Sequence, residues 1–315
     1  MRRAAVALCS LVTIWAAAAL WLDFPVSWLR WLLALGYLTF AVLVGRKRIA
    51  IWAGSLALVI VWWLNLKPNE YRNWQPDVAR MPWAEIEGDH ATIHNIRNCD
   101  YVTETNYTPR WEIKTVRLSD IRGVDLFLSH WGMDWIGHAI VSFEFGDGSH
   151  LATSIEARKT VGQKYSAIRG FFRQFQTMYL IAEERDVVRV RSNYRGETVY
   201  LYRTMTTPGD ARGLFRHYLE WMNQARQRPE WYNAVTANCA TNFVRYLAEA
   251  KVGDISRWDW RTLFVGEGDE LLYEKGDLMT DGLPFAELKR RALIRPPPDV
   301  NFSRQIRLNR PGFTQ

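Results

Sequence analysis

The chain has 315 residues, a formal net charge of +7 and a pI near 9.4, a length that allows one large domain or two modest ones. Residues 1–66 carry +5 of that charge, with Arg2, Arg3, Arg30, Arg46, Lys47 and Arg48 against Asp23. The basic balance therefore belongs to an apolar N-terminal region, and no nucleic-acid partner is expected.

The three cysteines, Cys9, Cys99 and Cys239, form no Cys-x-x-Cys and no metal-ligand spacing, so no metal or organic cofactor is expected. Residues 4–22 form an apolar run long enough to span a bilayer. Asp23-Phe-Pro25 breaks it. Residues 26–44 form a second run, with Arg30 near enough to its end to snorkel. Gly45-Arg-Lys-Arg48 follows, and residues 49–66 form a third run, closed by Lys67-Pro68. A cleaved signal peptide would also explain the first run, but no small-x-small site follows it and two more runs come at once. Three retained transmembrane helices are the expectation. The 16 Trp, several at the ends of these runs, suit an interfacial belt. Placing Arg2-Arg3 and Arg46-Lys-Arg48 in the cytoplasm puts everything after residue 67 on the outer side, the periplasm of a Gram-negative cell, tethered to the inner membrane.

Residues 67–90 read as a linker and lead-in, 91–255 as a catalytic domain and 256–315 as a polar C-terminal extension. Glu85 to His90 makes a hairpin turn before Thr92-Ile-His-Asn-Ile96. Residues 100–118 alternate as extended structure, and Val124 to Ser129 is a short strand. His138 to Phe145 and His150 to Glu156 flank Gly146-Asp-Gly148, a strong hairpin signal. Lys164 to Gln176 has the spacing of an amphipathic helix, with Tyr165, Ile168, Phe172 and Phe175 on one face. Met178 to Ala182, Val187 to Val190 and Val199 to Tyr202 read as strands, and Glu183-Glu-Arg-Asp186 as a solvated turn. Thr207-Pro-Gly-Asp210 starts a helix with a capping spacing. Arg189, Arg191 and Arg195, with Arg169 and Arg173, make either the wet side of a sheet or a basic face toward anionic lipid. The order suggests an α+β domain with a mostly antiparallel sheet and helices packed against it.

Cys239 follows Asn238 where a loop turns into a helix, with Phe243, Tyr246, Leu247 and Ala250 at helical spacing. A helix N-terminus favours thiolate, the nucleophilic form. A small buried cysteine that merely packs is the competing reading. A thiol enzyme also needs an imidazole and a group to orient it. His217 sits on a helix face that solvent would cover, and His90 and His94 lie in an early polar stretch. His138 opens a strand directly after a Gly-rich loop, where a side chain can meet a substrate. If the hairpin turn centres on Asp147, cross-strand partners sum to 294, and His138 faces Glu156 about 5 Å away at Cβ. Glu156 then accepts the imidazole N–H, unless it pairs with Arg158. His150 shares the face but lies about 20 Å along the strand. Asn238 is either a helix cap or an oxyanion donor.

Arg72-Asn-Trp-Gln-Pro-Asp-Val78, Thr92-Ile-His-Asn-Ile96, Gly123-Val-Asp-Leu-Phe127, His138-Ala-Ile-Val-Ser-Phe143, Ser154-Ile-Glu-Ala-Arg158, Glu184-Arg-Asp186 and Trp231-Tyr-Asn through Asn238-Cys239 carry a likeness. Together they resemble the periplasmic domain of the lipoprotein N-acyltransferase Lnb family, over roughly residues 70–250. The His-before-Cys order also looks like the permuted papain-like fold of NlpC-type and lecithin:retinol acyltransferase-type enzymes. The resemblance implies a membrane-associated thiol acyltransferase with a Cys–His pair, the thiol at Cys239 and the imidazole at His138. It also implies a phospholipid or lipoprotein substrate, with the α-amine of a lipoprotein N-terminal cysteine as acceptor. The chain departs from it in having its apolar runs before the domain and none able to span after it.

The expected function is thus acyl transfer through a Cys239 thioester, with His138 exchanging the proton and Glu156 orienting it. A papain-like hydrolase of the cell envelope and a non-catalytic membrane-anchored scaffold are the alternatives.

Overall fold

The computed structural model describes residues 2–45, 47–69, 71–132, 137–233, 265–296 and 300–313. Two compact units emerge. One comprises, among these residues, 2–71, 164–176 and 230–233; the other comprises 72–163, 177–229 and 265–313.

The first unit holds α1 (Arg2–Asp23), α2 (Leu29–Gly45) and α3 (Ile49–Leu64). Among the described residues, only α1, over Arg3–Asp23, is long and apolar enough to cross a membrane. This corrects the expectation of three spans. The α2 and α3 helices are apolar, but Pro25 and the turn at Lys47 limit them to 17 and 16 residues, short of the ~20 that match a hydrocarbon core. Arg30 donates to the Phe24 carbonyl at 2.7 Å, tying the α1–α2 turn.

The second unit is α+β. Its sheet runs in the order β1 (Trp83–Glu87), β2 (His90–Arg97), β9 (Gln176–Ala182), β8 (His150–Arg158), β7 (Gly137–Phe145), β6 (Ile121–His130), β10 (Thr198–Arg203). β5 (Trp111–Arg117) pairs with β2, and β3 (Asp100–Tyr101) pairs with β4 (Tyr107–Thr108). The β1–β2, β2–β5, β7–β8, β6–β7 and β6–β10 pairs are antiparallel, and Arg97 of β2 meets Ala182 of β9 in parallel. The expected β1–β2 hairpin is present, and His94 within it stacks on Trp83 with ring centroids 3.9 Å apart.

Strand alternation divides the sheet's residues between two faces. Leu126, Val141, Phe143, Phe145 and Leu151 pack beneath α6 (Pro208–Gln227), where Phe215 meets Phe143 at 4.7 Å. Thr207 caps α6, its hydroxyl accepting from the Asp210 amide at 3.2 Å, and Pro208 occupies the first turn. Phe127, Ile140, Ala152, Met178 and Leu180 form the second face. It is covered by Val187 and Val188, by Ile294, and by Phe302 and Ile306. After residue 264 the described chain adds α7 (Gly268–Lys275), α8 (Phe285–Ala292) and α9 (Phe302–Gln305).

Three local readings are corrected. Lys164 to Gln176 is not one helix: only α4 (Ala167–Gly170) forms, and the chain then turns into β9. The Arg173 amide donates to Asp23 at 3.2 Å instead of continuing a helical ladder. Val187 to Val190 is not a strand. α5 (Glu184–Val187) runs toward a π-helical turn at Val190–Tyr194, because an apolar run buried all round suits either structure. Glu183 to Asp186 is not a solvated turn either, for Glu184 and Asp186 are fully buried. Asp186 takes the Arg97 guanidinium at 2.8 Å and the Cys99 amide at 2.6 Å.

Candidate functional site

The β7–β8 hairpin builds the site. Its turn closes with the Phe145 amide donating to the Ser149 carbonyl at 2.9 Å, and Gly148 takes φ +78°. Asp147 accepts from the Ser149 amide at 2.8 Å, which fixes the turn centre. Partners across the ladder are Glu144–His150, Phe143–Leu151, Ser142–Ala152 and Val141–Thr153, the register expected from the sequence. Continuing the same face toward the open end brings together His138, Ser154 and Glu156.

His138 Nε2 lies 2.6 Å from Ser154 Oγ and 3.3 Å from Glu156 Oε1. Ser154 donates its one hydroxyl proton to Glu156 Oε1 at 2.9 Å, so its oxygen accepts from His138 Nε2–H. In the neutral ring that tautomer leaves the lone pair on Nδ1, which becomes the basic nitrogen. His138 is buried, so the ring is held by packing as well as by hydrogen bonds. At Gly137 a Cβ would come within 3.1 Å of the Gly266 amide nitrogen. A glycine there lets the backbone at 266 close against the start of β7, beside His138.

Arg191 is the cation of the site. Its Nη2 lies 2.9 Å from Glu156 Oε1 and its Nη1 lies 3.2 Å from Glu197 Oε2. Glu197 in turn accepts the Ser129 hydroxyl. Ser129 is the cross-strand partner of His138 on β6, so the polar chain starts and ends on one pair of facing residues. Burial on its own raises the Glu156 carboxyl, but His138 and Arg191 more than offset it and hold Glu156 well below the usual carboxylate range. Burial likewise opposes ionisation of Glu197, and Arg191 and the Ser129 hydroxyl outweigh it. Glu156 is therefore a standing anion beside the imidazole, suited to stabilise an imidazolium.

A polar cavity of about 30 Å³ adjoins Glu156, lined among others by Asp77, Arg97, Lys159, Arg191 and Arg195. It has room for a water or two and none for an acyl chain.

For Arg189 and Arg191, neither the wet side of a sheet nor a basic face toward lipid holds. Arg189 and Arg191 are 4% and 5% exposed, because each lies on a buried helical turn and not on a wet strand. Glu156 pairs with Arg191; Arg158 instead donates to the Val78 and Ala79 carbonyls at 2.8 and 2.7 Å. His217 sits on an exposed helix face near Glu220. Cys239 and Asn238 lie outside the described residues. Cys99 is a free, buried thiol pushed up to about 12, chiefly by burial and next by the Asp186 charge.

His150 lies on the same face at the other end of the hairpin. One atom each from Asp125, His150 and Glu184 fall within 4.8 Å of one another, a grouping that could suit a metal. Arg307 Nη2, however, lies 2.6 Å from both carboxylates, and Arg203 lies 3.0 Å from Asp125. Two guanidiniums occupy the acceptors a cation would need and would repel it, so the set does not fit a metal and functions as an ion network.

Ser154, Arg191, Glu197 and Ser129 escaped the sequence reading. The hairpin arithmetic could have found Ser154, which it places opposite Ile140 on the face of His138. Arg191 was obscured by reading its segment as a strand. Glu197, one acid in a loop, carries no signal.

The family model for the Lnb N-terminal periplasmic domain matches residues 107–266, about half of the chain, and that range includes the whole polar chain from Ser129 to Glu197. No curated protein and no solved structure matches the chain.

Proposed function

We propose, from the premise that this chain belongs to the family of the Lnb N-terminal periplasmic domain, that it is a membrane-anchored thiol acyltransferase acting on lipid or lipoprotein at the periplasmic face. The observation that carries the reading is the oriented imidazole: His138 Nε2 at 2.6 Å from Ser154 and 3.3 Å from the Glu156 carboxylate. An imidazole fixed in one tautomer beside a half-buried anion suits general acid–base work at a nucleophile.

In this mechanism Cys239 is the nucleophile and His138 Nδ1 takes its thiol proton. The thiolate attacks an ester carbonyl, and the tetrahedral intermediate collapses to a thioester as His138 returns the proton to the departing alcohol. An amine then attacks the thioester, His138 taking a proton from the amine and returning it to the Cys239 sulfur. Ionised Glu156 lowers the energy of the imidazolium present in both halves. Asn238 is proposed as an oxyanion donor. A permuted papain-like arrangement, with the thiol at a helix start facing the strand-borne histidine, would suit these roles.

The anchor supports the lipid choice. The α1 helix is long and apolar enough to cross once, and any odd number of crossings puts the domain opposite Arg2-Arg3. With Arg2-Arg3 in the cytoplasm, residues after 67 face the periplasm.

The test is intact-protein mass spectrometry of the full chain in phospholipid vesicles, wild type beside Cys239→Ala. The expected result is a hydroxylamine-labile gain of one fatty acyl group in the wild type alone. A gain in both proteins, or none in the wild type with either phospholipid or diacylated lipoprotein as donor, overturns the reading.

A further inference from the structure

We infer that Tyr165, Ile168 and Phe171 form a lipid-contact element that seats in the headgroup layer where α1 leaves the membrane. These side chains are 41%, 71% and 44% exposed, within seven residues of one another. They are not surplus core, because Phe172 and Phe175 of the same segment already supply its buried face. The serine at 166 caps α4 and Gly170 lies buried, which fixes the segment so that Ile168 and Phe171 stay outside.

The place of this segment identifies its partner. Within the N-terminal unit, the Gln174 side chain donates to the Leu22 carbonyl at 2.8 Å and to Asp23 at 2.7 Å. The Arg173 guanidinium lies 4.1 Å from the centre of the Trp63 ring, and Trp63 donates to Asp23 at 2.7 Å. Trp231 donates to the Leu66 carbonyl at 2.7 Å. The segment is thus pinned to the Asp23 end of α1, the end at which a helix that crosses a bilayer meets its surface. Tryptophans gather toward this end: Trp21 and Trp31 lie 5.0 Å apart, and Trp28, in the turn between their helices, is exposed. Such a ring of indoles marks the interface. Lys164 and Arg169, both exposed, alternate with the apolar side chains and match anionic headgroups. An apolar surface continuous with a membrane anchor, ringed by Trp and flanked by cations, fits a bilayer containing anionic phospholipid.

The inference rests on anchoring by α1 and not on the chemistry of Cys239. The test uses the full chain with Cys9→Ser and Cys239→Ser, reconstituted in phosphatidylethanolamine–phosphatidylglycerol vesicles. Nitroxide labels are attached at Ile168→Cys and, separately, at Phe171→Cys. Both sites are exposed, so the labels should not disturb folding, and the buried Cys99 should not compete for them. Collisions with oxygen, which partitions into lipid, are compared with those of a water-soluble nickel chelate. The expected result is oxygen collisions above nickel collisions at both sites, at a ratio lower than that of a label at Leu11→Cys, which lies deeper along α1. Nickel collisions dominating at either site would overturn the inference, for the face would then be wet. Protection from both reagents would overturn it too, for a protein would then cover the face. Because this chain lacks the Cys239 thiol, neither result depends on whether a thioester forms.

Discussion

Arg191 and Glu156 form an ion pair, Nη2 to Oε1 at 2.9 Å, between a buried guanidinium and a half-buried carboxylate, and the same guanidinium lies 3.2 Å from Glu197. One cation thus neutralises two carboxylates on either side of the His138 network. Replacing it with a neutral side chain of similar length leaves two half-buried acids without their common partner. Arg191→Met should therefore destabilise the domain by about 2–3 kcal/mol, seen as a lower thermal midpoint of the reconstituted chain. Arg191→Lys should fall between, since one ammonium cannot reproduce the fork. An unchanged midpoint in Arg191→Met would show that the pair does not matter to folding.

Glu156→Gln keeps the shape and removes the charge beside the imidazole. The imidazolium formed during proton exchange loses its anion, so the thioester-forming rate should drop by roughly 100-fold, or about 2.7 kcal/mol. Substrate affinity should stay near that of the wild type, because Glu156 acts through His138. A single-turnover acylation assay separates the two. A rate within twofold of wild type would remove Glu156 from the mechanism.

Ser154→Ala tests the hydroxyl bridge alone. Glu156 Oε1 remains 3.3 Å from His138 Nε2, so the carboxylate can still accept from the ring directly. The expected loss is smaller, about tenfold in rate, with the circular-dichroism spectrum unchanged. A loss as deep as that of Glu156→Gln would make Ser154 the principal orienting group.

Acid stability should report Arg307. Burial opposes ionisation of Glu184, yet Arg307, next in weight, holds its carboxyl down at about 2 against an ordinary 4.5. A depressed carboxyl contributes stability above its unfolded value and loses it as pH falls through the folded value. The window is therefore from about pH 4.5 down to 2, and the contribution lost is about 3 kcal/mol. Urea denaturation at pH 7 and pH 3 should show the loss begun at pH 3 in the wild type. Arg307→Gln should be weaker at pH 7 and fall less between the two. An equal fall in both would separate Arg307 from the acid response.

Alkylation discriminates between the cysteines. Burial and the Asp186 charge push the Cys99 thiol to about 12, so it should not react with iodoacetamide at neutral pH in the native chain. A catalytic Cys239 should react fast, and peptide mapping reads both. Modification of Cys99 ahead of Cys239 would favour the packed, non-catalytic thiol.

The sequence by itself determined what short-range rules govern. Gly146-Asp-Gly148 centres the hairpin on Asp147, and alternation then carries His138 and Glu156 to one face, because a strand's side-chain period is two residues whatever the surroundings. Thr207 and Pro208 likewise started α6, as a local cap and a fixed φ require. Only the tertiary structure decided the rest. Val187 to Val190 is apolar in a way that suits strand or helix, and burial against the sheet selected the helix that turns Arg191 inward. Lys164 to Gln176 has a helical pattern, yet Asp23, 150 residues distant in the chain, takes the Arg173 amide and ends the helix early. The joining of Arg191 to Glu197 and Ser129, and of Arg307 to Glu184 and Asp125, depends on which elements pack together. Long-range ion pairs leave no periodic trace in a sequence, because their partners are chosen by the fold that buries them.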